Sequence, residues 1–190
     1  MLTEKEIQDN KIKYINLINT ITNIKDKTGL INKLESLNFF NACGFTKNYY
    51  NYKGGLVEFI LKIYDNLIKI NKITNNLYDE GTIKQVALLS QVARCDYNKS
   101  YLRNVKVDNI WEQKEEFTLK NNNERTIIGI KGVDSYLMIK DYCSLDNDSL
   151  IAILNQYDGT KEVDFTIKLT IAKCPLIMLL NCAIQMSIYL

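Results

Sequence analysis

Apolar residues recur every three to four positions through two long stretches of this chain, and no other feature limits its fold as tightly. Leu56, Phe59 or Ile60, Ile63, Leu67 and Ile70 mark one side of an amphipathic helix running to about Asn71. Thr82 to Arg94 is apolar almost all round at Val86-Ala87-Leu88-Leu89, as in a helix buried on most sides. Around them, Thr3 with Glu6 has the spacing of a capping box, followed by Ile7, Tyr14, Leu17, Ile21 and Ile24 at helical intervals to about residue 25. A short helix is expected from about Leu30 to Leu37, and an aromatic, polar loop from Phe39 to Lys53. After Tyr101 the period shortens. Val105, Val107, Ile110, Trp111, Phe117 and Leu119 approach alternation, and Asp108-Asn109 is a turn signal, so a β-hairpin is expected within residues 101–120. Helix resumes over Gly132 to Lys140 and, capped by Asp146, over Asp148 to Gln156, with Asp158-Gly159 as its stop. A weaker helix is expected over Phe165 to Ala172, and Pro175 sits where it would open a last helix.

With one proline, no Gly/Ser-rich linker and no repeat, residues 1–190 read as a single, mainly α domain large enough to bury its own core. Met1-Leu2-Thr3-Glu4-Lys5-Glu6 alternates charge and has no apolar core, so it is not expected to act as a signal peptide. The uncharged run from Pro175 to Leu190 is shorter than the roughly 20 residues that span a bilayer and holds Asn181 and Gln185, so a buried core helix is expected. Five widely spread cysteines without a Cys-x-x-Cys pair suit free thiols in a reducing cytoplasm. A net charge of +2 does not point to nucleic acid. Only Arg94, Arg103 and Arg125 are arginine, and the Lys, Ile and Asn bias suggests an AT-rich source such as a low-GC bacterium or one of its phages.

The chain contains no histidine. Ser-His-Asp and Cys-His nucleophile systems are therefore excluded, as are mixed Cys/His zinc sets. Gly-x-Gly-x-x-Gly and the Walker-type phosphate loop are absent too. Asp146-Asn147-Asp148 lacks the glycine and terminal glutamate of a calcium loop.

Gly54-Gly55-Leu56-Val57-Glu58-Phe59-Ile60-Leu61 resembles the Gly-Gly-Leu-Val-Glu-His-Ser-Leu segment of HD-domain phosphohydrolases. Leu88-Leu89-Ser90-Gln91-Val92-Ala93-Arg94 resembles their Leu-Leu-His-Asp-Ile-Cys-Lys. The matches extend to Gly132-Val133-Asp134-Ser135, to Ala152-Ile153-Leu154-Asn155-Gln156 and to Leu179-Leu180-Asn181-Cys182-Ala183-Ile184, so the resemblance covers about Lys47 to Leu190. It implies an HD-type helical bundle with a small hairpin insertion. In that family histidines and aspartates hold metal ions that activate water against a phosphate ester. Here Phe59, Ser90, Gln91, Lys131, Gln156, Asn181 and Ile184 stand at the implied metal-ligand positions, with Tyr49 at a further one. The resemblance thus implies a pseudo-enzyme without metal or cofactor.

Two functions are open to such a chain. Lys131, Arg94, Ser90, Gln91, Gln156 and Asn181, with Arg103 and Asn104 at the mouth, could bind a nucleotide or nucleotide-like phosphorylated signal without hydrolysis, as a phage sponge against a host defence signal. The same polar groups could instead satisfy one another, while Phe59 and Ile184 fill the old cavity. The protein would then be an inhibitor or adaptor binding a host defence protein through its helical surface or the Tyr49–Lys53 loop. A residual metal-independent enzyme ranks third. Neither a membrane nor nucleic acid is the expected partner, and the expected location is the cytoplasm, the host's if the chain is phage-encoded.

Overall fold

The computed structural model describes residues 1–127, 131–156, 170 and 172–190; the Lys131 side chain also lies outside the described residues. In order, these form α1 (Glu4–Asn19), α2 (Lys27–Ser36), α3 (Gly55–Ile73), α4 (Glu80–Leu89), β1 (Asn98–Val107), β2 (Ile110–Leu119), α5 (Lys131–Ile139), α6 (Asn147–Leu154) and α7 (Leu176–Tyr189). Single 3-10 turns stand at Phe39–Asn41, Val92–Asp96 and Asn122–Glu124. The expected Asp158-Gly159 stop and most of the Phe165–Ala172 helix lie outside the described residues.

Local chemistry sets most boundaries. The Thr3 hydroxyl accepts from the Glu6 N–H while the Glu6 carboxylate accepts from the Thr3 N–H at 2.7 Å, closing the capping box of α1. Asp146 caps α6 by accepting from the Ser149 N–H at 2.8 Å. Two expected ends move inward. α1 stops at Asn19 rather than near 25, because Thr20, Ile21 and Thr22 bring β-branched side chains and the Thr20 hydroxyl donates back to the Leu17 carbonyl. α4 stops at Leu89 rather than Arg94, and the chain tightens into the 3-10 turn Val92–Asp96.

The hairpin pairs β1 with β2 in the register Val107↔Ile110 to Asn98↔Leu119. Asp108 and Asn109 both have positive φ, 48° and 67°, as a type I′ turn requires. Its base is clamped to the helices by two buried carboxylates. Asp96 accepts from Lys120 Nζ at 3.0 Å and from the Thr126 and Ile127 N–H groups at 2.6 and 3.1 Å. Asp134 accepts from the Tyr97 hydroxyl at 2.7 Å and from Arg125, whose guanidinium lies 4.3 Å from the Tyr97 ring centre.

α3 is the centre of the core. Leu56, Phe59, Ile60, Ile63 and Leu67 are fully buried, and the helix packs on α1, α4 and α7. Polar ties join the same helices: Tyr14 Oη on α1 donates to the Leu88 carbonyl on α4 at 3.1 Å, and Asn66 Nδ2 on α3 to Ser187 Oγ on α7 at 3.0 Å. Leu176, Ile177, Leu180, Ala183, Ile184 and Ile188 bury α7 in this core. No helix among the described residues is long and apolar enough to cross a membrane.

Two glycine sites are set by close approach. Gly54 precedes α3 at φ 79°, and a Cβ on Gly55 would run into the Tyr50 carbonyl group. A Cβ on Gly132 would stand 2.6 Å from the Leu154 carbonyl oxygen and closer still to that of Ile153, so α5 crosses the end of α6 at backbone contact. Gly132→Ala should therefore cost about 1–3 kcal/mol through overpacking. Thermal unfolding should show a fall of about 2–4 °C per kcal/mol for a chain of this size. An unchanged midpoint would mean that this crossing is not as described.

Candidate functional site

The break at the end of α4 assembles the site. A helix end leaves carbonyls without intrahelical partners, and the Ser90 carbonyl finds two distant ones. Ser135 Oγ, from α5, donates to it at 2.7 Å, and Gln156 Nε2, two residues beyond α6, donates to it as well. Gln156 Oε1 accepts from Gln91 Nε2, and Gln91 Oε1 accepts from Arg94 Nε. Ser135 Oγ also accepts from the Ala93 N–H at 3.4 Å. Every member is buried: Ser90, Gln91, Arg94, Ser135 and Gln156 are at most 8% exposed. Such a connected chain of donors and acceptors is fully engaged inside the protein, and each bond polarises the next.

Arg94 ends the chain over two aromatic rings. Its guanidinium carbon lies 4.4 Å from the Phe45 ring centre and 5.8 Å from that of Phe59, and Nη1 donates to the Gly44 carbonyl at 3.4 Å. Phe59 is fully buried, edge-on to Phe45 at 5.2 Å and tilted against Tyr50 at 5.1 Å. Aromatic packing thus occupies the position next to the polar network.

The expected site residues divide by location. Ser90, Gln91, Arg94 and Gln156 come together, with Phe59 beside Arg94. Asn181 and Ile184 are buried one turn apart on α7, which packs on α3 and α6. Lys131 opens α5, but its side chain lies outside the described residues. Arg103 and Asn104 stand exposed on β1, where Arg103 pairs with Glu116 on β2 at 3.5 Å. Tyr50 and Tyr52 are tied to the helices through the Ser187 carbonyl at 2.7 Å and Glu58 at 2.6 Å, while Tyr49 is exposed.

Burial pushes the Cys43, Cys95 and Cys143 thiols up to about 12, so none offers a ready thiolate at neutral pH. Among the described residues no group of three or more Cys, Asp or Glu is arranged to hold a metal ion.

Sequence reasoning missed Phe45, Gly44 and the Asp96 and Asp134 clamps. Phe45 lay in a segment without periodicity, and nothing local tells a clamping aspartate from a solvated one. It also missed the apolar tip of the hairpin, where Val107, Ile110 and Trp111 are 45%, 65% and 69% exposed. The sequence does hold a signal for that tip: three large apolar residues flanking a two-residue turn have no core to enter.

No family model matches this chain, and neither the curated proteins nor the solved structures give a match.

Internal bonding makes Arg94 a stabilising residue. Arg94→Ala removes charged hydrogen bonds and ring stacking, and should cost about 2–4 kcal/mol in chemical denaturation. Arg103→Ala, at an exposed ion pair, should change stability by less than about 0.5 kcal/mol. Equal effects of the two would contradict the placement of both residues.

Proposed function

We propose that this chain is a non-catalytic binding protein of HD-like ancestry whose target is another protein, engaged by the tip of the β1–β2 hairpin. The observation that carries this reading is the exposed apolar tip. Residues opposite each other across an antiparallel pair project on the same face. Val107 and Ile110 therefore share one face, and Trp111 shares the other with Lys106. Apolar groups on both faces suit insertion into an apolar cleft of a partner, because a flat surface would leave one face wet. Aromatic residues in such a position are common anchors of binding energy. Charge points the same way: Lys99, Arg103, Lys106 and Lys114 are balanced by Asp108, Glu112, Glu115 and Glu116, so the hairpin offers no basic ribbon to nucleic acid.

The polar network supports the choice of a protein over a nucleotide. A nucleotide entering at Ser90, Gln91, Arg94 and Gln156 would have to displace bonds these residues already make to one another and to the Ser90 carbonyl. The host defence protein expected from the resemblance is a fitting target for a hairpin finger. Catalysis by the old metal route has no support in the residues that occupy its positions.

The test is a photo-crosslinker at position 111, followed by affinity measurement on the purified partner. The double change Ile110→Ser and Trp111→Ser should leave thermal unfolding unchanged and weaken the complex by roughly thirtyfold or more, the effect of losing an interface anchor. Crosslinks confined to other surfaces, or an affinity that survives the double change, would overturn the reading. Calorimetric binding of a mono-, di- or cyclic nucleotide to the wild type below about 100 μM would move the conclusion to nucleotide capture.

A further inference from the structure

Away from the network and the hairpin, a cavity of about 520 Å³ opens between the turn after α1, the start of α4 and the start of α6. Its volume lies within the range of small-molecule sites. Asp79, Asp146 and Asp148 line it, together with Asn23, Tyr78 and Gln85, and no lysine or arginine among the described residues does. Asp79 and Asp146 are helix caps, which accounts for their presence but does not cancel their charge. The two helix N-termini offset about half a charge each.

Gln85 is what points to a ligand. It is 1% exposed, it lines the cavity, and its Oε1 accepts from Asn23 Nδ2 at 3.3 Å. Its Nε2 is buried and has no hydrogen-bond partner among the described residues. Buried donors are rarely left without an acceptor. An amide N–H cannot bind a cation, so a bare metal ion would leave this donor unmet. A phosphate would meet the donor but face three carboxylates. The Tyr78 hydroxyl, on the same wall, accepts from the Leu176 N–H at 3.2 Å.

We propose that this cavity binds a small organic cation that also carries a hydrogen-bond acceptor: a protonated amine or guanidinium with a carbonyl or hydroxyl oxygen a few bonds away. The carboxylates meet the charge, and Gln85 Nε2 donates to the oxygen. This site is independent of the hairpin and of any partner protein.

Two dications separate the terms in a calorimetric titration of the full chain. L-argininamide presents cationic groups and a carbonyl, whereas putrescine presents the same total charge and no acceptor. Argininamide should bind one to one with Kd below about 1 mM, and putrescine about tenfold more weakly. Gln85→Leu should weaken argininamide about tenfold and make the two ligands alike. Asp79→Asn with Asp146→Asn keeps both helix caps, since Asn caps as well as Asp, and should weaken both ligands and flatten the salt dependence. Argininamide binding no tighter than putrescine, binding unchanged in Gln85→Leu, or no argininamide binding below about 1 mM would each overturn the proposal. Should Gln85→Leu unfold, the paired Asn substitutions decide: unchanged affinity in them rejects the site.

Discussion

The carbonyl of Ser90 is the joint on which the arrangement of the helices depends. α4 ends one residue earlier, and a bare carbonyl in the protein interior would be costly. Ser135 and Gln156 reach it from elements 45 and 66 residues further along the chain. Meeting that one acceptor brings α5 and the end of α6 against the end of α4. Gln91 and Arg94 extend the same chain of bonds towards Phe45 and Phe59. A polar group in a helical core is usually a liability; here it ties three helices together, because its partners come from α5 and from just beyond α6.

The hairpin obeys a different constraint. Two strands alone are marginal in water and need an anchor. The anchor comes from Asp96 and Asp134 at the ribbon's base: Asp96 collects donors from the returning chain, and Asp134 bonds to Tyr97 just before the ribbon and to Arg125 just after it. Buried carboxylates at the root and apolar side chains at the tip reverse the usual distribution. The root is polar because it holds the ribbon to the helices; the tip is apolar although it touches none of the core.

What could be read from the residues were features whose causes are local. Thr3 and Asp146 announce their helices by cap chemistry, Asp108-Asn109 announces its turn by tolerance of positive φ, and α3 follows from the spacing of its apolar side chains. The ends of α1 and α4 were harder. Ile21 and Ile24 continue the helical spacing although the chain has left the helix, because both still face the core. The break at Ser90 is hidden within an apolar run, and its cause lies in side chains far along the sequence. Ser90, Gln91 and Gln156 could be grouped only through the family resemblance. Arg103 and Asn104 were drawn into that group by it, but the structure puts them out on β1.

A two-stranded ribbon leaves one edge of each strand without a backbone partner among the described residues. Ten residues per strand make those edges roughly 33 Å long, at about 3.3 Å per residue. An edge of that length invites further strands, and with them fibrous self-association. Lys99, Arg103 and Lys106 along β1, and Glu112, Lys114, Glu115 and Glu116 along β2, set charges at close intervals down both edges. They act as gatekeepers: a copy sliding alongside in the wrong register meets like charges or buries unpaired ones. The ribbon can thus expose its backbone to a crowded solution while resisting growth into a larger sheet.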